Sequence, residues 1–415
     1  MENQNDTFSE FPDELLLKIL SSLPSKDVVA TSVLSKRWRS LWKEVNTFRY
    51  DGECPDRSLS RFQLFISRRS SVDILELKLN PHFKYEVINP LINMAVMRSL
   101  RELRIDMLYT CFKFPKSFNV FSQLETIILE KLSLVDVPSS NFFLPCIKSL
   151  HLLSVKFSGD ESVRKLLSIC PSLEDLVVKR SSYTNVMIFT IDVPTLTSLS
   201  IDNSAGKSRP KCVHGFVVNA PSLKCFSIRD SFSNYLRFEN MPELVKASVN
   251  VVCDEPDKFL GSFASTQYLS LCSVTSQYLQ TPYPPTSFLF LDRLELCSCS
   301  VEWWNLLTRI LDDAPRLRVL QLKLYRKHCV QYQPDSAPWY KPDSTPECLL
   351  LHLEMFEWSQ YKGTEQETQV AKYILANASC LKKGTFYSDS TEKREIFKEL
   401  ECVARGSKTC QLVFE

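Results

Sequence analysis

Cysteine and histidine are the side chains of this chain best suited to hold a metal or to act as nucleophiles. The 415 residues include 15 cysteines, scattered from Cys54 to Cys410, and the closest pair is Cys297 and Cys299. No C-x-x-C or H-E-x-x-H spacing accompanies this pair, and a structural zinc site takes four ligands. We therefore expect Cys297 and Cys299 to be reduced, buried structural residues, and we expect no metal and no cofactor.

Loops that bind phosphate need glycine, and glycine is scarce here. The chain has eight glycines, and the sequence contains no G-x-G-x-x-G, Walker or G-x-S-x-G motif, so backbone freedom for a phosphate cradle is missing. The histidines are dispersed at His82, His151, His214, His328 and His352. The sequence therefore favours a binding protein over an enzyme, although residues distant in sequence can still assemble a triad.

The charges of the chain are balanced, with 50 basic and 48 acidic residues and a net charge of +2. Binding to nucleic acid or to an anionic membrane needs a concentrated basic excess, so we expect neither partner. Residues 1–10 lack the basic and apolar regions of a secretory signal, and no apolar run is long enough to span a membrane. We expect a protein of the cytoplasm or the nucleus that is not secreted.

Three short helices are predicted in the first 48 residues. Pro12 and the two acids after it are typical of a helix start, Leu23 and Pro24 end that helix and begin the next, and Ser35 is the predicted cap of a third. So small a unit has little core of its own, and it carries more large apolar side chains than that core can cover. This excess indicates a partner protein.

The segment from Phe11 to Trp42, FPDELLLKILSSLPSKDVVATSVLSKRWRSLW, resembles the F-box in the form common in a large plant family. Its Pro-Asp-Glu start, Leu-Pro break and Ser-Lys-Arg-Trp-Arg-x-Leu-Trp end carry the resemblance, with Phe11 where the family more often has Leu. The resemblance implies docking onto a Skp-type adaptor and, through it, onto a cullin. The positions it assigns to docking or to the module's core are Pro12, Leu16, Ile19, Leu20, Leu23, Pro24, Val33, Trp38 and Trp42. Packing of the three helices against one another accounts for some of them.

An apolar-x-x-apolar-x-apolar motif recurs between about residues 70 and 325. Its eleven copies begin at Ile74, Leu100, Leu124, Ile147, Leu173, Leu196, Leu223, Leu244, Thr266, Leu291 and Leu317. They are 21 to 27 residues apart, which is the range of leucine-rich repeats. The last two apolar positions are two residues apart, so both face inward from one short strand, and the strands stack in parallel.

The alternate positions of these strands face the concave side, where a target would bind. Small hydroxyl side chains dominate there between about residues 198 and 270, and they leave room for another chain to approach. The predicted target contacts are Ser198, Ser200, Ser227, Ser248, Tyr268 and Ser270. An ordinary solvated sheet face remains an equal interpretation of the same pattern.

The C-terminal region begins after a proline-rich linker or loop at residues 326–344. From 345 to 415 the sequence resembles the FBD domain of many plant F-box proteins, on the Tyr361-Lys-Gly363 segment and the helix that Thr364 is expected to cap. The resemblance supplies no activity. We expect this region to form an atypical last repeat that caps the array.

The predicted fold is therefore α/β: a three-helix F-box at 6–50, a horseshoe of leucine-rich repeats at 70–325, and an α/β FBD cap at 345–415. The predicted function is that of the substrate-recognition subunit of a Skp–cullin–F-box ubiquitin ligase, which itself performs no chemistry. It binds an adaptor through the F-box and an unknown protein substrate through the repeats. The alternative is a scaffold protein that acts outside a ligase, and the sequence does not separate the two.

Overall fold

A computed structural model describes thirteen parts of the chain. They are residues 11–52, 58–114, 123–136, 142–182, 185–206, 212–239, 241–252, 261–272, 287–299, 303–324, 339, 341–389 and 393–415. The chain forms two compact units, Met1–Val186 and Met187–Glu415.

The first unit begins with a helical module, residues 11–45. Its helices are α1 Asp13–Ser22, α2 Ser25–Ala30 and α3 Trp38–Glu44. Pro12 and Pro24 precede α1 and α2, and their carbonyls accept the first hydrogen bonds of each helix, from Leu16 N and Val28 N. The expected side-chain cap at Ser35 is wrong: α3 begins at Trp38 with no side-chain cap, and Ser35 contributes only its backbone carbonyl.

The strands of the first unit form two parallel sheets. They are β1 Thr47–Gly52, β2 Ile74–Leu79, β3 Glu102–Asp106, β4 Cys111–Lys113, β5 Thr126–Glu130, β6 Ser133–Asp136, β7 Ser149–Leu153, β8 Lys156–Phe157 and β9 Asp175–Lys179. The main sheet has the order β1-β2-β3-β5-β7-β9, and β4, β6 and β8 make a second, smaller one. The small sheet was not predicted, because strands of two to four residues are too short to show a period.

Three further helices lie among the described residues of this unit. They are α4 Ser58–Ser67, α5 Tyr85–Val96 and α6 Asp160–Ser168. Helix α6 buries Val163, Leu166 and Leu167, the spacing of an amphipathic helix.

The alternation that defines the motif sets the strand register. In β3, Leu103 and Ile105 are fully buried, whereas Glu102 and Arg104 are half-buried. Each strand is also tied to its neighbour just before it begins: Glu125 N and Thr126 N both donate to the Arg101 carbonyl, at 2.9 and 3.0 Å. Every repeat therefore stacks on the previous one in the same register.

The second unit repeats this arrangement. Its strands are β10 Ile188–Asp192, β11 Ser198–Asn203, β12 Gly215–Asn219, β13 Cys225–Asp230, β14 Tyr235–Glu239, β15 Lys246–Val251, β16 Tyr268–Cys272, β17 Arg293–Cys297, β18 Val319–Lys323, β19 Met355–Trp358, β20 Lys383–Phe386 and β21 Gln411–Phe414. Its helices are α7 Trp303–Asp313, α8 Glu347–Leu351, α9 Glu365–Asn377 and α10 Lys393–Glu401. The parallel main sheet runs β11-β13-β15-β16-β17-β18-β19-β20-β21, and β10, β12 and β14 form a small sheet. No helix among the described residues is long and apolar enough to cross a membrane.

The C-terminal region continues the same sheet. Strand β19 pairs in parallel with β18, and β20 and β21 follow. Aromatic side chains fill the core behind them: Trp358 lies 5.5 Å from Trp303 and 5.1 Å from Tyr361 between ring centroids, and Phe397 lies 4.7 Å from Phe414. Residues 345–415 therefore add repeat-like layers to the sheet, as an atypical end of the array would.

Candidate functional site

A concave pocket of about 490 Å³ lies along β11, β13, β15, β16 and β17 of the second unit. All six predicted target contacts line it: Ser198, Ser200, Ser227, Ser248, Tyr268 and Ser270. The lining also includes Cys225, Lys246, Asn250 and Glu295, which the sequence prediction did not select. All four occupy alternate strand positions too, so the same periodicity could have found them.

Strand register brings the pocket serines into one line. Ser200, Ser227, Ser248 and Ser270 are consecutive register partners across four strands, and we call them the serine row. The next partner in the line is Glu295. Because register partners in parallel strands lie side by side, the serine row forms a narrow polar track that ends at a carboxylate.

Glu295 is a buried charge, 6% exposed, and the polar contacts of the pocket converge on it. Tyr268 Oη and Ser270 Oγ donate to its carboxylate at 3.1 and 3.2 Å, and Lys323 Nζ donates at 2.8 Å. A buried carboxylate is tolerated when it is paired and hydrogen-bonded in this way. Burial, together with the negative charge of Glu295, raises the pKa of Tyr268.

Two cations lie against the ring of Tyr268. Lys246 Nζ is 4.9 Å and Arg293 Cζ is 5.7 Å from the ring centroid, within the range of cation–π attraction. Arg293 also donates to Gln321 Oε1 at 2.8 Å. The pocket thus combines a serine track, a buried acid and a basic edge, an arrangement suited to a polar, extended ligand.

In the first unit a serine, a histidine and an aspartate are in contact, and their geometry decides whether they could act as a catalytic triad. Ser149 Oγ lies 3.2 Å from His151 Nε2, but the same nitrogen lies 3.3 Å from Asp175 Oδ2, and Ser149 donates directly to that carboxylate at 2.9 Å. A relay needs the acid and the nucleophile on opposite ring nitrogens. This cluster lacks that geometry.

Two of the nine residues assigned to docking or to the module's core are fully buried inside the helical module. Leu16 and Leu20 pack with Val28, Leu41 and Val45. Leucines at this spacing hold α1 against the other helices and cannot touch a partner without unfolding the module. Leu23, Trp38 and Trp42 are half-buried and pack against the same cluster.

Exposed apolar residues of the helical module include residues on α1 and in the turn after α2. Ile19 is 44% and Val33 80% exposed, and Pro12 is exposed as well. Leu15 and Leu34, at 47% and 64%, belong to the same class but were not predicted. Leu15 lies four residues, about one helical turn, before Ile19, so helical spacing could have indicated it. Leu34 directly follows Val33 in the turn after α2 and has no such signal. We call Leu15, Ile19, Val33 and Leu34 the exposed apolar set.

Ionic contacts fix the ends of the helical module. Arg37 donates to Asp13 Oδ1 at 2.7 Å and to the carbonyl of Phe11, which ties the start of α1 to the segment before α3. Trp42 stacks on Phe65 of α4 at 5.9 Å, and the Arg69 guanidinium lies 4.7 Å from the Trp42 ring. Trp42 therefore joins the module to the first repeat.

Arg69 at this junction is partly removed from water. This burial lowers the pKa of Arg69, although arginine stays charged at any physiological pH. Arg69 Nη1 donates to the Lys43 carbonyl at 2.7 Å. The guanidinium is thus a fixed connection between α3 and the helix that follows β1.

Three parts of the chain match models of known protein families. An F-box domain model matches residues 8–50, a Leucine Rich Repeat model residues 146–171, and an FBD model residues 341–386.

Similar sequences cover nearly the whole chain. An FBD-associated F-box protein of Arabidopsis thaliana is 54% identical over 410 residues, covering 98% of this chain and 91% of the relative. An F-box/FBD/LRR-repeat protein of the same plant is 38% identical over 432 residues, covering both chains completely.

Two solved structures show weaker similarity. The LRR ectodomain of a plant membrane receptor kinase from Arabidopsis thaliana is 13% identical with a TM-score of 0.32, over 84% of this chain and 45% of the receptor chain. An LRR protein of Leptospira interrogans is 13% identical with a TM-score of 0.28, over 87% of this chain and 100% of the other.

Proposed function

This chain belongs to the plant F-box proteins that carry leucine-rich repeats and an FBD domain, and from that premise we propose that it is the substrate-recognition subunit of a Skp–cullin–F-box ubiquitin ligase. The observation that carries the proposal is the exposed apolar set on a module whose core is already filled by other residues. In this role the chain forms and breaks no bond. It raises the effective concentration of a target beside the ubiquitin-conjugating machinery.

Docking of a Skp-type adaptor uses the exposed apolar set. Full burial of one large aliphatic side chain contributes roughly 1.5–3 kcal/mol. Leu15 and Leu34 are both exposed, so a partner that covers them gains this stabilisation without rearranging the core. A charge at either position would have to be buried without a partner and would oppose docking.

The test is binding of the full chain to a purified Skp-type adaptor, with Leu15→Asp and Leu34→Asp combined in one variant. Losing two leucines that the adaptor would bury is expected to weaken binding by about 100-fold or more. Lys18→Asp is the matched control, because Lys18 is exposed on the same helix and its substitution removes no apolar surface. An affinity of the double variant equal to that of the wild type would contradict the proposal.

Leu20 is unsuitable for this test. It is 0% exposed, and an aspartate there would unfold the helical module whether or not an adaptor binds. Circular dichroism and a thermal melt of each variant separate loss of docking from loss of folding.

The ligase role itself requires ubiquitin transfer. A complex reconstituted with adaptor, cullin and conjugating enzyme is expected to modify a protein bound to the repeats. Adaptor binding without any transfer to a bound protein would instead support a scaffold outside a ligase. The proposed location is the cytoplasm or the nucleus, where this ligase machinery acts and cysteines stay reduced.

We propose further that the target protein binds along the serine row of the concave pocket. Small side chains permit close approach of another backbone, and the pocket supplies hydroxyls, an acid and cations within one surface. Ser200→Arg combined with Ser227→Arg would fill the track, and Thr190→Arg on the small sheet of the same unit is the control. Proteins captured by the wild type and by the control should be lost by the double variant; retention of all of them would refute the assignment.

A further inference from the structure

Three buried cysteines meet at one end of the concave pocket. Cys272, Cys297 and Cys299, which we call the cysteine cluster, place their Sγ atoms within 4.8 Å of one another. The sulfurs of Cys272 and Cys299 are 3.3 Å apart. Cys272 and Cys297 also line the pocket, so the cluster lies next to the surface proposed to bind a target.

Strand register creates the cluster from residues that are distant in sequence. Cys272 ends β16 and Cys297 ends β17, and the two are register partners. Cys299 follows two residues after Cys297. The third cysteine therefore comes from the preceding repeat, which is why the local spacing around Cys297 and Cys299 showed only two candidate ligands.

The sulfur positions match the dimensions of a thiolate metal site. Zinc binds thiolates at about 2.3 Å in a tetrahedron, which places neighbouring sulfurs roughly 3.8 Å apart. The observed separations, 3.3 Å for one pair and none above 4.8 Å, lie on either side of that value. Small rotations of the three side chains would bring the sulfurs to the required spacing.

The surroundings of the cluster favour a soft cation. All three cysteines are buried, and Leu324 packs against them, which limits access of water. Thiolates select zinc over the hard cations magnesium and calcium. Lys323, a register partner of Cys297, is paired with the Glu295 carboxylate. This ion pair adds no net charge beside the site, so the bound form keeps the single negative charge left when three thiolates bind one divalent ion.

We propose that the cysteine cluster is a zinc site with three thiolate ligands. Binding releases three thiol protons, one from each cysteine, and changes no oxidation state. The three sulfurs occupy three tetrahedral positions and leave the fourth for a water molecule or for a donor atom of a molecule in the pocket. The proposal concerns the cysteines alone and does not depend on adaptor docking or on the ligase role.

The test is zinc stoichiometry of the full chain. The protein is stripped of metal under reducing conditions, incubated with zinc, passed through a desalting column and measured by elemental analysis together with native mass spectrometry. The wild type should retain one zinc ion per chain more than a variant with Cys272→Ser, Cys297→Ser and Cys299→Ser. Cys225→Ser should retain the wild-type amount, because Cys225 lines the same pocket but is not part of the cluster.

Cobalt provides a second readout that is independent of stoichiometry. Cobalt bound by the wild type should show thiolate-to-metal charge-transfer absorption, and this absorption should be absent from the triple variant while its circular dichroism is unchanged. Equal metal content in the wild type and the folded triple variant would overturn the proposal. A Cys272–Cys299 disulfide that persists in the wild type in reducing buffer, in place of a metal, would overturn it as well.

Discussion

At the scale of single residues, Glu295 holds the polar side chains of the pocket in place. Its carboxylate is held by a phenol, a hydroxyl and an ammonium group, so one buried charge fixes the positions of Tyr268, Ser270 and Lys323. Removing one partner of a buried ion leaves its charge uncompensated and destabilises the folded protein. The polar side chains of the pocket therefore act as a unit, and a substitution at one of them changes the others.

The raised pKa of Tyr268 leads to a prediction about stability at alkaline pH. Burial and Glu295 keep the phenol protonated in the folded state after free tyrosine ionises near pH 10. The stabilisation linked to this group is complete below that pH and is lost as pH rises through the higher folded pKa. Subtracting the ultraviolet titration curve of the Tyr268→Phe variant from that of the wild type should isolate the late ionisation of Tyr268.

Glu295→Gln should move that transition to lower pH, because it removes the negative charge. Glu243→Gln is the control, since Glu243 is exposed in the same unit. An unchanged transition in Glu295→Gln would show that the carboxylate does not influence the phenol.

The sequence predicted the orientation of strand side chains well, because successive side chains of a β-strand point to opposite faces. The six residues predicted to contact a target lie on alternate strand positions and line the concave pocket, while contact with a target stays a prediction. The prediction was less complete on α1, where Leu15, Leu16, Ile19 and Leu20 form one broad apolar face. Tertiary packing turns Leu16 and Leu20 inward and leaves Leu15 and Ile19 exposed, and a single sequence contains no signal for that choice.

At the scale of elements, helix α9 has a capping box that the sequence predicted in part. Thr364 Oγ1 accepts from Glu367 N at 3.3 Å, and the Glu367 carboxylate accepts from Thr364 N. Glu367 also accepts from Lys362 N at 2.9 Å, so it ties the preceding turn to the helix. The strands β4, β6 and β8, in contrast, are only two to four residues long and are too short to show a period in the sequence.

Thr364→Ala should destabilise the second unit by about 1 kcal/mol, because it leaves the amide of Glu367 without its cap. Urea unfolding with an unchanged slope would measure this difference. Gln369→Ala, on the exposed face of the same helix, should change the stability by less than about 0.5 kcal/mol. Equal stability of the two variants would mean that the capping box contributes nothing.

At the scale of the whole chain, stability comes from contacts between successive layers. Each repeat buries its apolar residues against its neighbours, and β19 to β21 extend this arrangement beyond the last leucine-rich motif. The sequence predicted the repeating part because eleven copies of one pattern are hard to obtain by chance. It could not show that β1, which overlaps the end of the predicted F-box segment, pairs with β2 and already belongs to the sheet.

Removal of C-terminal layers should lower stability step by step. A chain ending at residue 389 loses α10 and β21, and a chain ending at 324 also loses Trp358, whose ring packs against Trp303. The melting temperature should fall in that order, and the shortest chain should aggregate because the β18 edge and Trp303 become exposed. Identical melting temperatures for the three chains would contradict this layered account.

The division of each strand into inward and outward positions also shapes how such a protein can diverge. A duplicated gene can exchange Ser200, Ser227, Ser248 or Ser270 one at a time, because none of them contributes to the apolar layer beneath. A one-residue deletion within the same strand would instead reverse every side chain after it. Substitution thus alters recognition at little cost to folding, whereas changes of length are confined to the connecting segments. Because the buried apolar layer is kept while the concave-face side chains change, new binding preferences can arise by point mutation alone.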